Sequence, residues 1–125
     1  MKKYILFIVI SLIILTINSC KKDCASPPTL SLAQAENPGY TCADSICIEN
    51  AFTPNGTGIN DFLRVTGPGN TELTITDNCS NVLFQTINAT HSFWDGAYNG
   101  HPVANGIYEY TINTNLLRGQ IQLVR

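Results

Sequence analysis

The stretch YEYTIN at residues 108–113 decides the fold class, because its side chains alternate strictly between apolar and polar. Its aromatic and aliphatic residues would share one face of a strand, and its polar residues would share the other. Alternation with a period of two indicates a strand that packs on one face and meets water on the other, as in antiparallel sheets. The stretch QIQL at residues 120–123 repeats the pattern. We therefore expect an antiparallel β fold.

The composition of the whole chain fits one small, folded, non-nucleic-acid-binding domain. Its 125 residues include 7 Lys and Arg and 9 Asp and Glu, which gives a net charge of −2. Nucleic-acid binding needs clustered basic residues that displace counterions from phosphates, and this composition argues against it. A hydrophobic fraction of 44% supports a packed core. A large enzyme with an enclosed active site does not fit this length.

Seven short apolar or alternating runs follow one another from residue 46, separated by clusters of Gly, Pro and Asn. Such a series predicts an all-β fold, an immunoglobulin-like antiparallel β-sandwich of about seven strands after a signal peptide and short linker. If a partner adds a strand to this sandwich, we expect residues 120–125 to form the receiving edge. The predicted strands are residues 46–52, 62–66, 72–76, 82–87, 92–94, 107–114 and 120–124. The expected core contains Phe52, Leu63, Leu73, Ile75, Leu83, Phe84, Trp94, Tyr108, Tyr110, Ile112, Ile121 and Leu123.

The N-terminal residues have the pattern of a bacterial export signal. Lys2 and Lys3 precede an apolar run over residues 4–17, and Asn18-Ser19-Cys20 follows it. This ending resembles a lipobox, in which the cysteine is acylated and becomes the new N-terminus. An uncleaved membrane anchor is the alternative, but the run is shorter than the roughly 20 residues that span a bilayer. We predict a lipoprotein signal peptide at residues 1–19 and a lipid on Cys20.

Residues 20–45 have the composition of a flexible tether before a domain at residues 46–125. They contain Pro27-Pro28 and Asn37-Pro38-Gly39, and the run from Ser31 to Glu36 suffices for one helical turn.

The cysteines that remain after Cys20 predict two disulfide bonds. Cys24, Cys42, Cys47 and Cys79 are an even number in a chain expected in an oxidising compartment. Cys42 and Cys47 could close a local loop, which would leave Cys24 to join Cys79. Cys47 could equally pair with Cys79 across two strands. The spacing of these cysteines does not fit a zinc site.

Three segments of the chain resemble a known family of secretion domains. They are NAFTPNGTGINDF at residues 50–62, FWDGAYNGHPVANGIYEY at residues 93–110 and GQIQLVR at residues 119–125. In this order they resemble the gliding-motility-associated C-terminal domain, a type B sorting domain of the type IX secretion system. The resemblance covers residues 48–125. It implies a role in moving proteins across the outer membrane.

This chain departs from the family pattern at three places. Thr57 stands where the family has an aspartate between two glycines. The turn at residues 77–81 lacks the basic and aromatic residues that the family has there, and Ala104-Asn105 alters a proline-rich segment.

The turn residues of these segments have mainly architectural roles. Asp95-Gly96 and Asn99-Gly100 are hairpin signals that require positive φ angles. We expect Trp94 to fill the core, with its indole N–H donating to a backbone carbonyl.

Two ligand-binding hypotheses compete with these architectural roles. The oxygens of Asn55, Thr57, Asn60 and Asp61 could bind calcium, although a hydrogen-bonded turn is the more favoured reading and no other cofactor is indicated. An aromatic platform for sugar or peptide is the second hypothesis, with core packing as the alternative. It would use Trp94, Tyr98, Tyr108 and Tyr110.

No sequence motif indicates catalysis, so we expect no enzymatic activity. The two histidines, His91 and His101, lie in predicted turns without an adjacent nucleophile motif. Asp44-Ser45-Ile46 resembles a bacterial O-glycosylation motif, which makes Ser45 a candidate modification site.

The sequence as a whole predicts a cell-envelope lipoprotein on the outer membrane or cell surface that acts in secretion or surface display. Its expected partners are the membrane, through Cys20, and type IX secretion components or a surface protein. The alternative is a small immunoglobulin-like module for adhesion or ligand binding.

Overall fold

The computed structural model describes residues 24–125, and the predicted signal peptide and Cys20 lie outside this part of the chain. One short helix and ten strands make up its regular structure. The helix α1 is Leu32–Glu36, and the strands are β1 Tyr40–Ala43, β2 Ile46–Glu49, β3 Ala51–Phe52, β4 Val65–Thr66, β5 Leu73–Thr76, β6 Val82–Thr86, β7 Ala97–Tyr98, β8 His101–Pro102, β9 Gly106–Ile112 and β10 Leu117–Leu123.

Two main sheets form a β-sandwich, which confirms the predicted all-β class. The larger sheet has the strand order β3-β10-β9-β5-β6, and the smaller has the order β1-β2-β4. Every pairing in them is antiparallel except that of β3 with β10, which is parallel. The hairpin of β7 and β8 forms a separate pair.

The two sheets share one hydrophobic core. Ile46, Ile48 and Val65 from the smaller sheet pack into the same cluster as Ile75 and Tyr110 from the larger one. Ten of the twelve predicted core residues are buried, and the other two, Leu83 and Phe84, are partly buried against the cluster. The alternation in β9 and β10 therefore identifies the packed face correctly.

The described part of the predicted tether is folded against the sandwich. α1 begins after Ser31, whose side chain caps Gln34 in a capping box, and β1 joins the smaller sheet. Ile107 N–H donates to the Ser26 carbonyl over 2.8 Å, so the chain docks beside β9. The prediction of a flexible linker is therefore wrong for residues 24–45, because local composition does not report these long-range bonds.

The C-terminal strand is internal, contrary to the prediction that it forms an edge. β10 lies between β9 and β3, and Gln122 and Leu123 pair with Ala51 and Phe52. Residues 46–52, predicted as one strand, form two strands in different sheets. β2 joins the smaller sheet, and β3 joins the larger sheet, where it lies along the outer side of β10.

Candidate functional site

The three segments that carry the family resemblance meet at one corner of the molecule, which we call the motif corner: residues 53–61, 94–97 and 125. Arg125 joins them through backbone carbonyls. Its Nε donates to Pro54 O over 3.1 Å, and its Nη2 donates to Gly96 O over 3.1 Å. Its Nη1 donates to Val103 O over 2.6 Å. One guanidinium therefore holds three loops together, with its donors in the fixed fork that arginine provides.

Gly96 is required at this corner for both its conformation and its size. Its φ is 73°, in the left-handed region that side chains resist. A Cβ atom there would lie 2.8 Å from Leu123 Cδ1 and 2.9 Å from Pro54 Cγ. Any larger residue would therefore push apart the contacts that Arg125 closes.

Trp94 anchors the corner to the core, as the sequence predicts. It is 1% exposed, and its ring lies 5.4 Å from that of Phe52 and 5.6 Å from that of Tyr108. Its Nε1 donates to Ala97 O over 2.9 Å, and Ala97 N donates to Asp95 Oδ1 over 3.0 Å. The predicted bond from the indole to a backbone carbonyl is confirmed.

The proposed aromatic platform is not formed. Trp94, Tyr108 and Tyr110 are buried in the core, and Tyr98 alone among the four is exposed. The alternation of β9 explains the difference, because it turns Tyr108 and Tyr110 toward the packed face.

Asp61 closes the first loop of the motif corner with backbone hydrogen bonds. Its Oδ1 accepts from Asn55 N over 3.1 Å and from Gly56 N over 2.8 Å, and its Oδ2 accepts from Gly58 N over 2.7 Å. Partial desolvation raises the pKa of Asp61, but the donors, led by Gly58 N–H, outweigh it and hold the pKa below its usual value. The charged carboxylate thus accepts hydrogen bonds from backbone N–H groups that carbonyl oxygens would accept in a regular turn.

The four candidate calcium ligands do not converge on one point. Asn55 Oδ1 accepts from the hydroxyl of Thr57 over 2.8 Å, while Asn60 Nδ2 donates away from the loop, to Ala35 O over 2.7 Å and to Ala51 O over 3.1 Å. These contacts favour the hydrogen-bonded turn, and calcium binding stays a prediction.

A second tied region lies at the turn between β5 and β6. We call it the disulfide end: residues 24–26 and 77–81. Cys24 and Cys79 form a disulfide bond with a Cα–Cα distance of 5.3 Å. Asn78 N donates to Cys24 O over 2.9 Å, and its side chain donates to Ser26 Oγ over 2.7 Å. This cross-link occupies the turn where the chain departs from the family pattern.

Asp77 organises this turn as Asp61 organises the loop of the motif corner. Its Oδ1 accepts from Cys79 N over 2.9 Å and from Asn81 N over 3.0 Å. Partial desolvation raises its pKa, but hydrogen bonds from Asn81 and Cys79 outweigh this and lower the pKa below its usual value. Within the described residues, Cys24, Asp77 and Cys79 are the one cluster of metal-ligand types, and both of its sulfurs are in the disulfide.

The second disulfide bond joins Cys42 and Cys47, which face each other across β1 and β2. Together the two bonds confirm the predicted disulfides and select the pairing of Cys24 with Cys79.

Ser45 is exposed in the turn of the hairpin formed by β1 and β2, next to Asp44, whose φ is 51°. Modification of Ser45 stays a prediction, as does the absence of enzymatic activity; His91 and His101 are both exposed.

Sequence reasoning missed Glu49, an acid that is 2% exposed. Its Oε2 accepts from Arg64 N over 3.0 Å, and its Oε1 accepts from the Tyr40 hydroxyl over 3.3 Å. Burial raises the pKa of Glu49 above its usual value. It lines a cleft of about 390 Å³ with Tyr40, Asn60 and Arg64. The only sequence signal for Glu49 is the presence of one acidic residue in an apolar run.

No helix among residues 24–125 has the length and apolar content needed to span a membrane.

Comparison with known proteins identifies the family. The family model described as the CHU_C type IX secretion signal domain matches residues 46–122. PorZ of Porphyromonas gingivalis, an essential bacterial surface component of the type IX secretion system, is similar in structure at 16% identity with a TM-score of 0.42. That similarity covers 70% of this chain and 16% of the PorZ chain, and it is too distant to indicate function. No curated protein matches the sequence. Because the family match spans more than half of the chain, this protein belongs to the type IX secretion signal domain family.

Proposed function

We propose that this protein is a cell-envelope lipoprotein, anchored through Cys20, whose folded domain acts in type IX secretion or surface display. The family match over residues 46–122 is the observation that carries this proposal. The lipobox-like ending at Cys20 supports the anchor, and the two disulfide bonds fit a protein outside the cytoplasm.

The anchor and the disulfide end would lie close together. Three residues separate Cys20 from Cys24, so the four Cα–Cα steps between them span at most about 14 Å. Cys24 is bonded to Cys79 in the turn before β6. A lipid on Cys20 would therefore hold this turn near the membrane surface and leave the domain little freedom to reorient.

The motif corner offers an ordered surface to secretion components. Arg125 donates hydrogen bonds to carbonyl groups of this corner, and Asp61 accepts hydrogen bonds that order the neighbouring loop. We infer that this preorganised corner is the part of the domain that the secretion machinery recognises. Preorganisation lowers the entropy lost on binding.

The test is the surface exposure of the full-length protein in cells with and without a working type IX system. Mass spectrometry of the purified protein establishes the lipid on Cys20, and Cys20→Ala removes it. We expect protease added to whole cells to degrade the protein only when the system works. Equal degradation in both strains would contradict a type IX role, and an unlipidated wild-type protein would contradict the anchor.

Arg125→Ala tests the motif corner, with Arg118→Ala as its matched control. Arg118 is an exposed arginine on β10, outside the motif corner. We expect Arg125→Ala to reduce surface exposure several-fold and Arg118→Ala to leave it unchanged. Far-ultraviolet circular dichroism shows whether each variant is folded. A folded Arg125→Ala protein exported at the normal level would refute recognition through this corner.

A further inference from the structure

The two disulfide bonds differ in how open their cysteines are to solvent. Cys42 is exposed and Cys47 is half-buried, on the hairpin of β1 and β2. Cys24 and Cys79 are both half-buried. Exchange begins when a thiolate attacks one sulfur of the bond, so its rate depends on access to that sulfur. Of the four bonded cysteines, Cys42 therefore offers the most open point of attack.

Other contacts also hold the hairpin that carries Cys42 and Cys47. The two cysteines lie directly opposite each other, and β1 pairs with β2 along its whole length. At the open end of the hairpin, Asn50 N donates to Gly39 O over 3.0 Å. The hairpin therefore keeps its strand pairing when the sulfur–sulfur bond opens, and the rest of the fold does not depend on that bond.

We propose that the bond between Cys42 and Cys47 is a site of thiol–disulfide exchange with a dithiol protein, while the bond between Cys24 and Cys79 is structural. A thiolate of the partner attacks Cys42 Sγ and forms a mixed disulfide, and Cys47 leaves as a thiolate. The second thiolate of the partner then attacks its own sulfur in the mixed disulfide and releases Cys42. The partner ends as a disulfide, and the two protons of its thiols end on Cys42 and Cys47.

The geometry of the hairpin explains why the partner needs two thiols. Because the paired strands keep Cys47 opposite Cys42, its thiolate displaces a single attacking thiol and restores the original bond. A second thiol on the partner completes the reduction before this reversal occurs.

Reduction acts on one edge of the smaller sheet. Among residues 24–125, β1 pairs with β2 alone, and it lies before the family match, which begins at residue 46. The hydroxyl of Tyr40 on β1 donates to Glu49 Oε1 over 3.3 Å, and both residues line the same cleft. Opening the bond therefore loosens the strand beside the Glu49 cleft and leaves the larger sheet tied by Cys24 and Cys79.

Reduction of the full-length protein by thioredoxin tests this proposal, in a non-ionic detergent that accommodates any lipid. Thioredoxin is the dithiol probe, and its reductase with NADPH keeps it reduced. Free thiols are alkylated at intervals and located by peptide mass spectrometry. We expect thiols at Cys42 and Cys47 to appear about tenfold faster or more than thiols at Cys24 and Cys79, which serve as the control within the same molecule. Equal rates, or the reverse order, would overturn the proposal.

Glutathione at the same thiol concentration tests the need for two thiols and the point of attack. We expect it to leave the pair mostly oxidised, and the adduct found after quenching with acid should lie on Cys42. Reduction as fast as with thioredoxin would contradict the requirement for a dithiol, and an adduct mainly on Cys47 would contradict attack at the exposed sulfur.

Hydrogen exchange after selective reduction separates an exchange site from a structural bond. Amides of β1 should exchange faster, while amides of β9 and β10 should keep their rates. The double variant Cys42→Ser with Cys47→Ser should reproduce this pattern without any reductant. Loss of protection throughout the larger sheet would show that the fold depends on this bond, and the proposal would fail.

Discussion

The motif corner and the disulfide end both fasten loops to the same sandwich, but they do so with different chemistry. At the motif corner, Arg125 and Asp61 bond to backbone groups, and Trp94 fixes the turn in the core. At the disulfide end, a sulfur–sulfur bond ties residues 24–26 to the turn before β6. The first keeps most of the family pattern, with Thr57 as its departure, whereas the turn at the second lacks the family's basic and aromatic residues. The fold thus tolerates a new cross-link where the larger sheet ends, while the corner depends on specific side chains.

Removing Trp94 should have the largest effect, because it detaches the motif corner from the core. Trp94→Ala deletes a buried ring that contacts Phe52 and Tyr108, and we expect a loss of about 3–5 kcal/mol in the free energy of unfolding. Urea denaturation monitored by circular dichroism measures it. Tyr98→Ala is the control, because Tyr98 is 46% exposed and should cost less than 1 kcal/mol. Similar losses for both variants would show that Trp94 is not the anchor.

Removing the disulfide end's cross-link should cost slightly less. Cys24 and Cys79 are 55 residues apart, so the bond restricts the unfolded chain by about 4 kcal/mol in the loop-entropy model, and strain usually reduces the measured value. The double variant Cys24→Ser with Cys79→Ser should therefore lose about 3–4 kcal/mol of stability. It should also lose protection from exchange at Ile107 N–H, which bonds to Ser26.

The other disulfide bond supplies the comparison. Cys42 and Cys47 are 5 residues apart, and the same model gives about 2 kcal/mol for their bond. Paired serine substitutions at these positions should be less destabilising when measured by the same denaturation. A larger loss than at the disulfide end would mean that loop length does not govern these bonds.

The contacts that define both regions explain what the sequence could predict. The alternation in β9 and β10 predicts which face of the sheet packs. Trp94 is expected in the core because its large indole favours burial, and its one N–H group then needs a carbonyl acceptor. The bonds of Arg125 could not be predicted, since every residue carries a backbone carbonyl and nothing marks Pro54 or Gly96 as the acceptor. The docking of residues 24–45 was missed for the same reason. Thr29 N and Leu30 N donate to the side chain of Gln122, which is distant in sequence.

The smallest expected effect concerns the two aspartates, which give the two regions the same response to acid. Partial desolvation raises the pKa values of Asp61 and Asp77, but hydrogen-bond donors outweigh it and hold both below the usual aspartate value; the donors are backbone N–H groups at Asp61, and the Asn81 side chain together with backbone N–H groups at Asp77. The stability that each carboxylate contributes is therefore present above the unfolded-state pKa and is lost as the pH falls through the lower folded-state pKa. Asp61→Asn and Asp77→Asn should each weaken this loss between pH 5 and about 2.

The two variants should differ in how far their loops open. The loop of Asp61 has no covalent cross-link, so Asp61→Asn should speed amide exchange at Gly56 and Gly58 at neutral pH. The turn of Asp77 stays closed by the bond between Cys24 and Cys79, so Asp77→Asn should change exchange at Asn81 much less. In the protein that also lacks this disulfide bond, Asp77→Asn should behave like Asp61→Asn. If exchange at Asn81 is equally fast with and without the bond, the covalent tie does not protect the turn, and the contrast between the two regions disappears.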